Sequence, residues 1–267
     1  MSDKIRVTIW NEFRHEKSDP KAAELYPNGI HATIGEYLSQ YPDVEVTLAA
    51  LDDPDQGLPD EVLNSTDVLI WWGHMSHGEV KDELVTKIQR RVYMGRMGFI
   101  ALHSAHHSKP FRAIVGTMGN LTWGREQKEI VWNMNPTHPI AEGIPKNFFI
   151  EKEELYAEPF FIPQPNEIVF GGWYEDGYIF RSGCTFIRDA GKIFYFQPGH
   201  ESDPSYHNPH VLRIIYNAVR WAKPVNPGYE LKDCCPHMVR NYETRKAEGR
   251  LDYNMVPPAF EEVGYNK

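Results

Sequence analysis

Three short apolar runs constrain this chain more than any other feature: DVLIWW (67–72), GFIAL (98–102) and KIFYF (192–196). A strand with one face in water alternates apolar and polar residues. These runs are apolar almost throughout, as strands covered on both faces must be. A sheet is covered on both faces when helices cross over it, and such crossovers make neighbouring strands parallel. The intervening sequence agrees. Residues 29–40 carry Ile30, Ile34, Tyr37 and Leu38 on one helical face, and 79–93 carry Val80, Leu84, Val85, Ile88 and Val92. Strands at 5–10 and 44–51 complete an alternation that predicts right-handed crossovers and a doubly wound sheet.

The second half is different. Residues 128–132, 148–155, 167–173 and 178–187 read as strands without long helices between them, an added antiparallel portion. A core strand (192–196) and an amphipathic helix (209–221) follow, the helix expected to pack on the sheet. Beyond Lys223 the chain turns rich in Pro and polar residues. The expected organisation is one domain over 1–223 and a C-terminal extension over 224–267. The extension would wrap its own domain or a neighbouring subunit, the latter making a homo-oligomer, or else be mobile. With 41% hydrophobic and 13% aromatic residues, 267 residues suffice for one large core.

Charge and cysteines exclude partners. A formal charge of −9 without clustered Lys and Arg disfavours both nucleic acid and an anionic membrane surface. No apolar run approaches the roughly 18 residues of a membrane span. MSDKIRVTIW lacks a basic region followed by an apolar one, so no signal peptide is expected. Cys184, Cys234 and Cys235 form neither a disulfide framework nor a CxxC zinc pattern. A reducing cytoplasm is the expected location.

Histidine is the unusual entry in the composition, with 12 in the chain. Ligands of an open parallel sheet bind beyond the carboxyl ends of its strands, where loops converge. Those ends carry Asn11, Glu12 and His15; His74 and His77; His103, Ser104, His106 and His107; and His200 and Glu201. Each has a plainer reading. His103 could be a core histidine bonded to backbone, His74 and His77 could cap the helix near 79, His15 could be a solvated loop residue and His138 a turn residue. At most one of His106 and His107 should reach a crevice.

Two chemistries fit these residues. The elbow at 102–106 lacks the glycines of GxSxG, although Ser104, His200 and Glu201 could still meet as a triad. No cysteine stands at a strand end, and Cys184, inside a strand, is most simply a small core residue. For a metal, the segments offer His31, His74, His103, His200 and Glu12, without HExxH-type spacing. Trp10, Trp72, Trp123, Tyr156 and Trp173 could present flat faces to a sugar, but packing is the simpler explanation. Strand alternation places Glu154 and Tyr156 on the same face, where Glu154 could act as acid or base.

The segments WNEFRHE (10–16), YPNGIH (26–31), WWGHMSH (71–77), ALHSAHHSKPF (101–111), HPIAEGIP (138–145), EELY (153–156) and QPGHE (197–201) together resemble the trehalose utilisation protein ThuA family over most of 5–222. The resemblance implies an α/β, flavodoxin-like fold similar to class I glutamine amidotransferases. That is a three-layer fold with a central, mostly parallel sheet and an added antiparallel portion. In that superfamily the elbow holds a cysteine; here His103 and Ser104 stand there, so amidotransferase activity is not expected. The family's implied role is bacterial catabolism of trehalose and related disaccharides, beside dehydrogenases that make 3-keto sugars. The expected activity is therefore metal-assisted isomerisation, elimination or hydrolysis of a 3-keto-glycoside, with a small sugar or keto-sugar as partner. On this basis His31, His103 and His200 would hold a divalent metal, zinc foremost. Glu12, Glu154 and Glu201 would be catalytic, and Asn11, His74, His77, His106 and Tyr156 would bind substrate. A serine-type hydrolase using Ser104 and His200, and a non-catalytic sugar-binding protein on the same scaffold, are the alternatives.

Overall fold

The first strand, β1 (Ile5–Asn11), leads into two short helices, α1 (His15–Ser18) and α2 (Pro20–Leu25), where the sequence suggested only a polar loop. The second is started by Asp19, whose carboxylate accepts from the Lys21 amide, with Pro20 in the first turn. The order continues as α3 (Ile30–Leu38), β2 (Val44–Ala50), α4 (Asp60–Ser65), β3 (Val68–Trp72), α5 (Asp82–Tyr93), β4 (Gly98–Leu102) and α6 (Lys109–Val115). Four long strands follow: β5 (Thr122–Asn133), β6 (Asn147–Ala157), β7 (Glu167–Tyr174) and β8 (Ile179–Arg188). The last elements are β9 (Gly191–Phe196) and α7 (Pro209–Ala222). This computed structural model describes residues 4–225, so the extension expected at 224–267 lies outside the described residues but for its first two.

The nine strands of the described residues form one sheet in the order β2-β1-β3-β4-β9-β8-β7-β5-β6. The first five are parallel, and their order is the flavodoxin-like 2-1-3-4-5 with β9 in fifth place. From β9 outward every pairing is antiparallel. The expected fold class holds: a three-layer α/β arrangement whose mostly parallel centre carries an antiparallel addition.

The apolar runs behave as their composition requires. All five residues of β3 and all five of β4 are buried. Val68, Ile70 and Trp72, with Ile100, Leu102, Phe194 and Phe196, face the core shared with Ile30, Ile34 and Leu38 of α3 and with α7. Leu69, Trp71, Phe99, Ala101, Ile193 and Tyr195 face the other core, with Leu84, Val85, Ile88 and Val92 of α5 and Phe111 and Ile114 of α6. Each fully buried large side chain contributes roughly 1.5–3 kcal/mol of transfer free energy, so the double-sided burial outweighs any local preference. The helix expected from 79 starts at Asp82, because His77–Glu79 form a separate 3-10 turn and buried Val80 anchors the chain between them. Among the described residues no helix is long and apolar enough to cross a membrane.

Register decides where the chemistry falls. Asn11 is paired with Trp72, Trp72 with Leu102, and Leu102 with Phe196. Four strands thus end at one level, and the loops that leave them open on one rim of the sheet.

Candidate active site

The β1 exit supplies a brace rather than a catalyst. Glu12 is buried, and its two carboxylate oxygens accept from the amides of Met75 (2.8 Å) and Ser76 (2.9 Å), which fixes the turn carrying His74. Asn11 is equally buried: its amide donates to Glu16 (2.7 Å) and lies 3.1 Å from His31 Nδ1, while its oxygen accepts from the Phe13 amide. Glu12 is therefore not positioned as a base, nor Asn11 as a ligand for hydroxyl groups, because their polar atoms are taken by the protein itself.

His103 occupies the elbow. Its φ of +51° lies in the left-handed region, so the strained position after β4 belongs to an imidazole. Nδ1 donates to the Gln197 carbonyl (2.9 Å), and Nε2 lies 3.1 Å from Glu154 and 3.3 Å from the Tyr156 hydroxyl. Burial works against a charge here, but Glu154 and Glu153 outweigh it and raise His103 to about 9. A doubly protonated imidazole has no lone pair for a metal. Glu154 and Tyr156 do share a face, as strand alternation requires. Burial pushes the Glu154 carboxyl up, yet the His103 hydrogen bond and the nearby His103, His200 and His74 hold it below its ordinary value.

Behind His103 lies a residue that sequence reasoning passed over. Glu153 is fully buried, 3.8 Å from His103 Nδ1, and accepts from the amides of Gly199 (2.8 Å) and His200 (3.1 Å) and from the Ser205 hydroxyl. Burial raises it to about 7. EKEEL reads as an acidic cluster on a strand with Glu154 on the face of Tyr156; where the register between β5 and β6 is irregular, Glu153 is buried as well.

The turn after β9 carries His200 and Glu201. Gly199 has φ +139°, and a Cβ there would lie 2.0 Å from the buried Tyr206 hydroxyl oxygen, so only glycine fits. The Trp72 indole donates to the Gly199 carbonyl (3.0 Å), which ties this turn to β3. His200 Nδ1 accepts from the Ser202 amide (3.3 Å) and lies 2.9 Å from its hydroxyl, leaving the ring proton on Nε2.

The imidazoles expected to share an ion do not converge as one set. His31 sits in α3 with Nδ1 against Asn11 and His103 donates through both nitrogens, whereas His200, filled at Nδ1, keeps its Nε2 toward Glu201. Further donors surround Glu201. His74 Nδ1 is 3.1 Å from Glu201 Oε2, and His15 Nδ1 is 3.4 Å from Glu201 Oε1. His15 Nδ1, His74 Nδ1 and Glu201 Oε2 are all buried and turn only toward one another. Among the described residues, two sets of three could hold an ion, each with ligand atoms within 4.8 Å of one another: His15, His74 and Glu201, and His74, Glu154 and His200. Two imidazoles and one carboxylate suit zinc, and the orphaned atoms favour the first set. Burial would raise the Glu201 carboxyl, but His74, His200 and His15 around it lower it to about 2, so it is anionic. His15, which could have been a solvated loop residue, is buried beside Glu201 and His74.

The remaining candidates lie to one side. His106 is buried against Tyr156, Phe160 and Tyr195 and donates from Nδ1 to the Gly119 carbonyl (2.7 Å); it is a packing post, not a substrate contact. His77 stacks near His107, and burial lowers it to about 4. The Ser104 hydroxyl donates to the Gly73 carbonyl (2.7 Å), and His200 bonds Ser202 instead. His138 caps a turn, its Nδ1 accepting from the Ile140 amide. Trp10 stacks on Trp71 in the core, so it offers no face to a sugar.

Comparison with known proteins bears on this geometry. The model of the family ThuA, described as trehalose utilisation, matches residues 6–222. Comparison with curated proteins gives no match. Among solved structures, the chain is similar to a ThuA-like protein from Parabacteroides merdae at 13% identity and a TM-score of 0.63, covering 82% of this chain and 90% of that one. A ThuA-like protein from Bacteroides uniformis gives 16% identity and 0.58, covering 82% and 91%. A protein of Salmonella typhimurium LT2 described as cytoplasmic gives 11% and 0.54, covering 82% and 99%. At such identities the likeness is one of fold.

Proposed function

From the premise that the chain belongs to the ThuA family, we propose that it is a metal-assisted enzyme of disaccharide utilisation, acting on 3-keto-glycosides in the cytoplasm. The observation that carries this reading is the pairing at the rim: an anionic Glu154 held by a charged His103, beside the free donors of His74, His15 and Glu201. Such a set offers a base, an acid and a place for a Lewis acid within one crevice.

A ketone at C3 acidifies the C2–H bond. Glu154 would take that proton, and the electron pair would move to the C3 oxygen as an enediolate. Collapse of the enediolate can expel the C1 substituent, with the C1–O electron pair leaving on the departing alcohol, and water then adds to the enone. Reprotonation at another position would instead isomerise the sugar. A keto-sugar bound beside Glu154 would have His103 and the Tyr156 hydroxyl as neighbours able to stabilise developing negative charge. A divalent ion, zinc by its donor set, would supply Lewis acidity toward the ketone oxygen. A hydroxyl nucleophile finds no support, since Ser104 is bonded to Gly73 and, among the described residues, no imidazole is hydrogen-bonded to it.

Elemental analysis of the purified chain, followed by NMR of 3-keto-trehalose incubated with it, tests the reading. We expect about one equivalent of metal and consumption of the keto-sugar. His74→Ala should lose the ion, and Glu154→Gln should keep it while slowing turnover by roughly 10²–10⁴-fold. Undiminished activity of metal-free protein in strong chelator would overturn the metal role, and unchanged turnover in Glu154→Gln would overturn the base.

A further inference from the structure

The antiparallel half presents an outer face that the core does not use. In β5, Glu129 and Val131 point inward and are buried, whereas Lys128, Ile130 and Trp132 point outward. Ile130 pairs with Phe149 of β6 on one side and with Trp173 of β7 on the other, and Trp173 pairs with Ile179 of β8. Directly opposed residues of antiparallel strands share a face. Phe149, Ile130, Trp173 and Ile179 therefore form one unbroken apolar row across four strands. Phe149 is 50% exposed, Trp173 44% and Ile179 62%. Trp132 and Met134 extend the row into a groove of about 620 Å³ that also touches Ile168, Glu158 and Arg181. An antiparallel sheet with one face in water is ordinarily polar on that face, so this one calls for a cover.

We propose that the cover is a second copy of this chain, related by a two-fold axis through the middle of the row. The row reads Phe149, Ile130, Trp173, Ile179, and reversed upon itself it sets Phe149 against Ile179 and Ile130 against Trp173. Every aromatic ring then meets an aliphatic side chain, the large-against-small complementarity that lets two faces interdigitate. The flanking charges do not oppose this cover. Lys128 lies 4.9 Å over the Phe149 ring and 2.9 Å from Glu151, while Arg181 is 2.7 Å from Glu158 near Ile179. Each cation is already paired within its own chain, so covering the row strands no charge. The exposed parts of these side chains amount to roughly 500 Å². That is an apolar centre that a polar rim would enlarge toward the ~800 Å² per partner of a stable interface.

Sedimentation velocity of the full chain over a concentration series tests this. A mass twice the 30.9 kDa of one chain is expected at micromolar concentration. Trp173→Glu and, separately, Ile179→Lys should each give monomers with unchanged circular dichroism; Ile179→Lys, the most exposed change, guards against misfolding of the first. On a Cys234→Ser/Cys235→Ser background, Ile130→Cys chains mixed with Trp173→Cys chains should form a disulfide-linked pair on oxidation, and neither alone should. Three outcomes would overturn the proposal: a wild-type chain that stays monomeric at its highest soluble concentration, a dimer indifferent to both charged substitutions, or no mixed cross-link.

Discussion

Two side chains show how little the type of a residue says about its task. Glu12 has the appearance of a catalytic carboxylate, but both its oxygens hold backbone amides of the turn that presents His74. Glu12→Ala should therefore cost about 2 kcal/mol in urea unfolding and also loosen metal retention, whereas a true base would leave stability unchanged. His103 makes a second, sharper case. It keeps its proton to about 9 when folded and loses it near its ordinary 6.5 when unfolded, so the folded state binds more protons between those values. Its contribution is complete below 6.5 and is lost as pH rises to 9, by about 3 kcal/mol at most. Glu153 is half titrated near 7, so the fall above that value passes increasingly to His103. In His103→Asn, a residue that tolerates positive φ, the thermal midpoint should lose its fall over that window; an unchanged slope would contradict the assignment. The sequence displayed all of these residues. Which nitrogens of His103 were taken it could not display, because Glu154 and Gln197 come from segments tens of residues away.

At the scale of elements, the site depends on two tight connections. One is the elbow after β4, and the other is the turn after β9, pinned by Trp72 and Glu153. Gly199→Ala should destabilise the fold by about 2–3 kcal/mol, since neither φ +139° nor the buried Tyr206 ring leaves room for a methyl group. Calorimetry would read the loss, and elemental analysis should show a parallel loss of metal as Glu201 shifts. The elements themselves were legible. Apolar runs and 3.6-residue periodicity located β3, β4, β9 and the long helices to within a few residues. Short α1, α2 and α4 escaped because a helix of four to six residues has too few turns to show a period. Glu153 escaped because a register irregularity has no local signature in EKEEL.

For the whole molecule, the uneven cover of the sheet matters most. Its parallel half is closed by helices on both sides, while the outer face of its antiparallel half bears a row of aromatic and aliphatic side chains. Association through that row binds only folded chains, so it should raise the thermal midpoint with protein concentration. Wild type should show this dependence and Ile179→Lys should not; equal behaviour of the two would speak against the row as an interface.

The amino-acid order alone determined the strand and helix succession, the parallel centre and the convergence of histidine-bearing loops on one rim. Those follow from burial patterns that each segment carries within itself. Tertiary structure decided the rest: that His15, not His31, joins His74 and Glu201, that Glu12 braces a turn, and that four outward residues align into one row. Hydrogen-bond partners and cross-strand register are set by distant segments meeting, and no single stretch of sequence contains them.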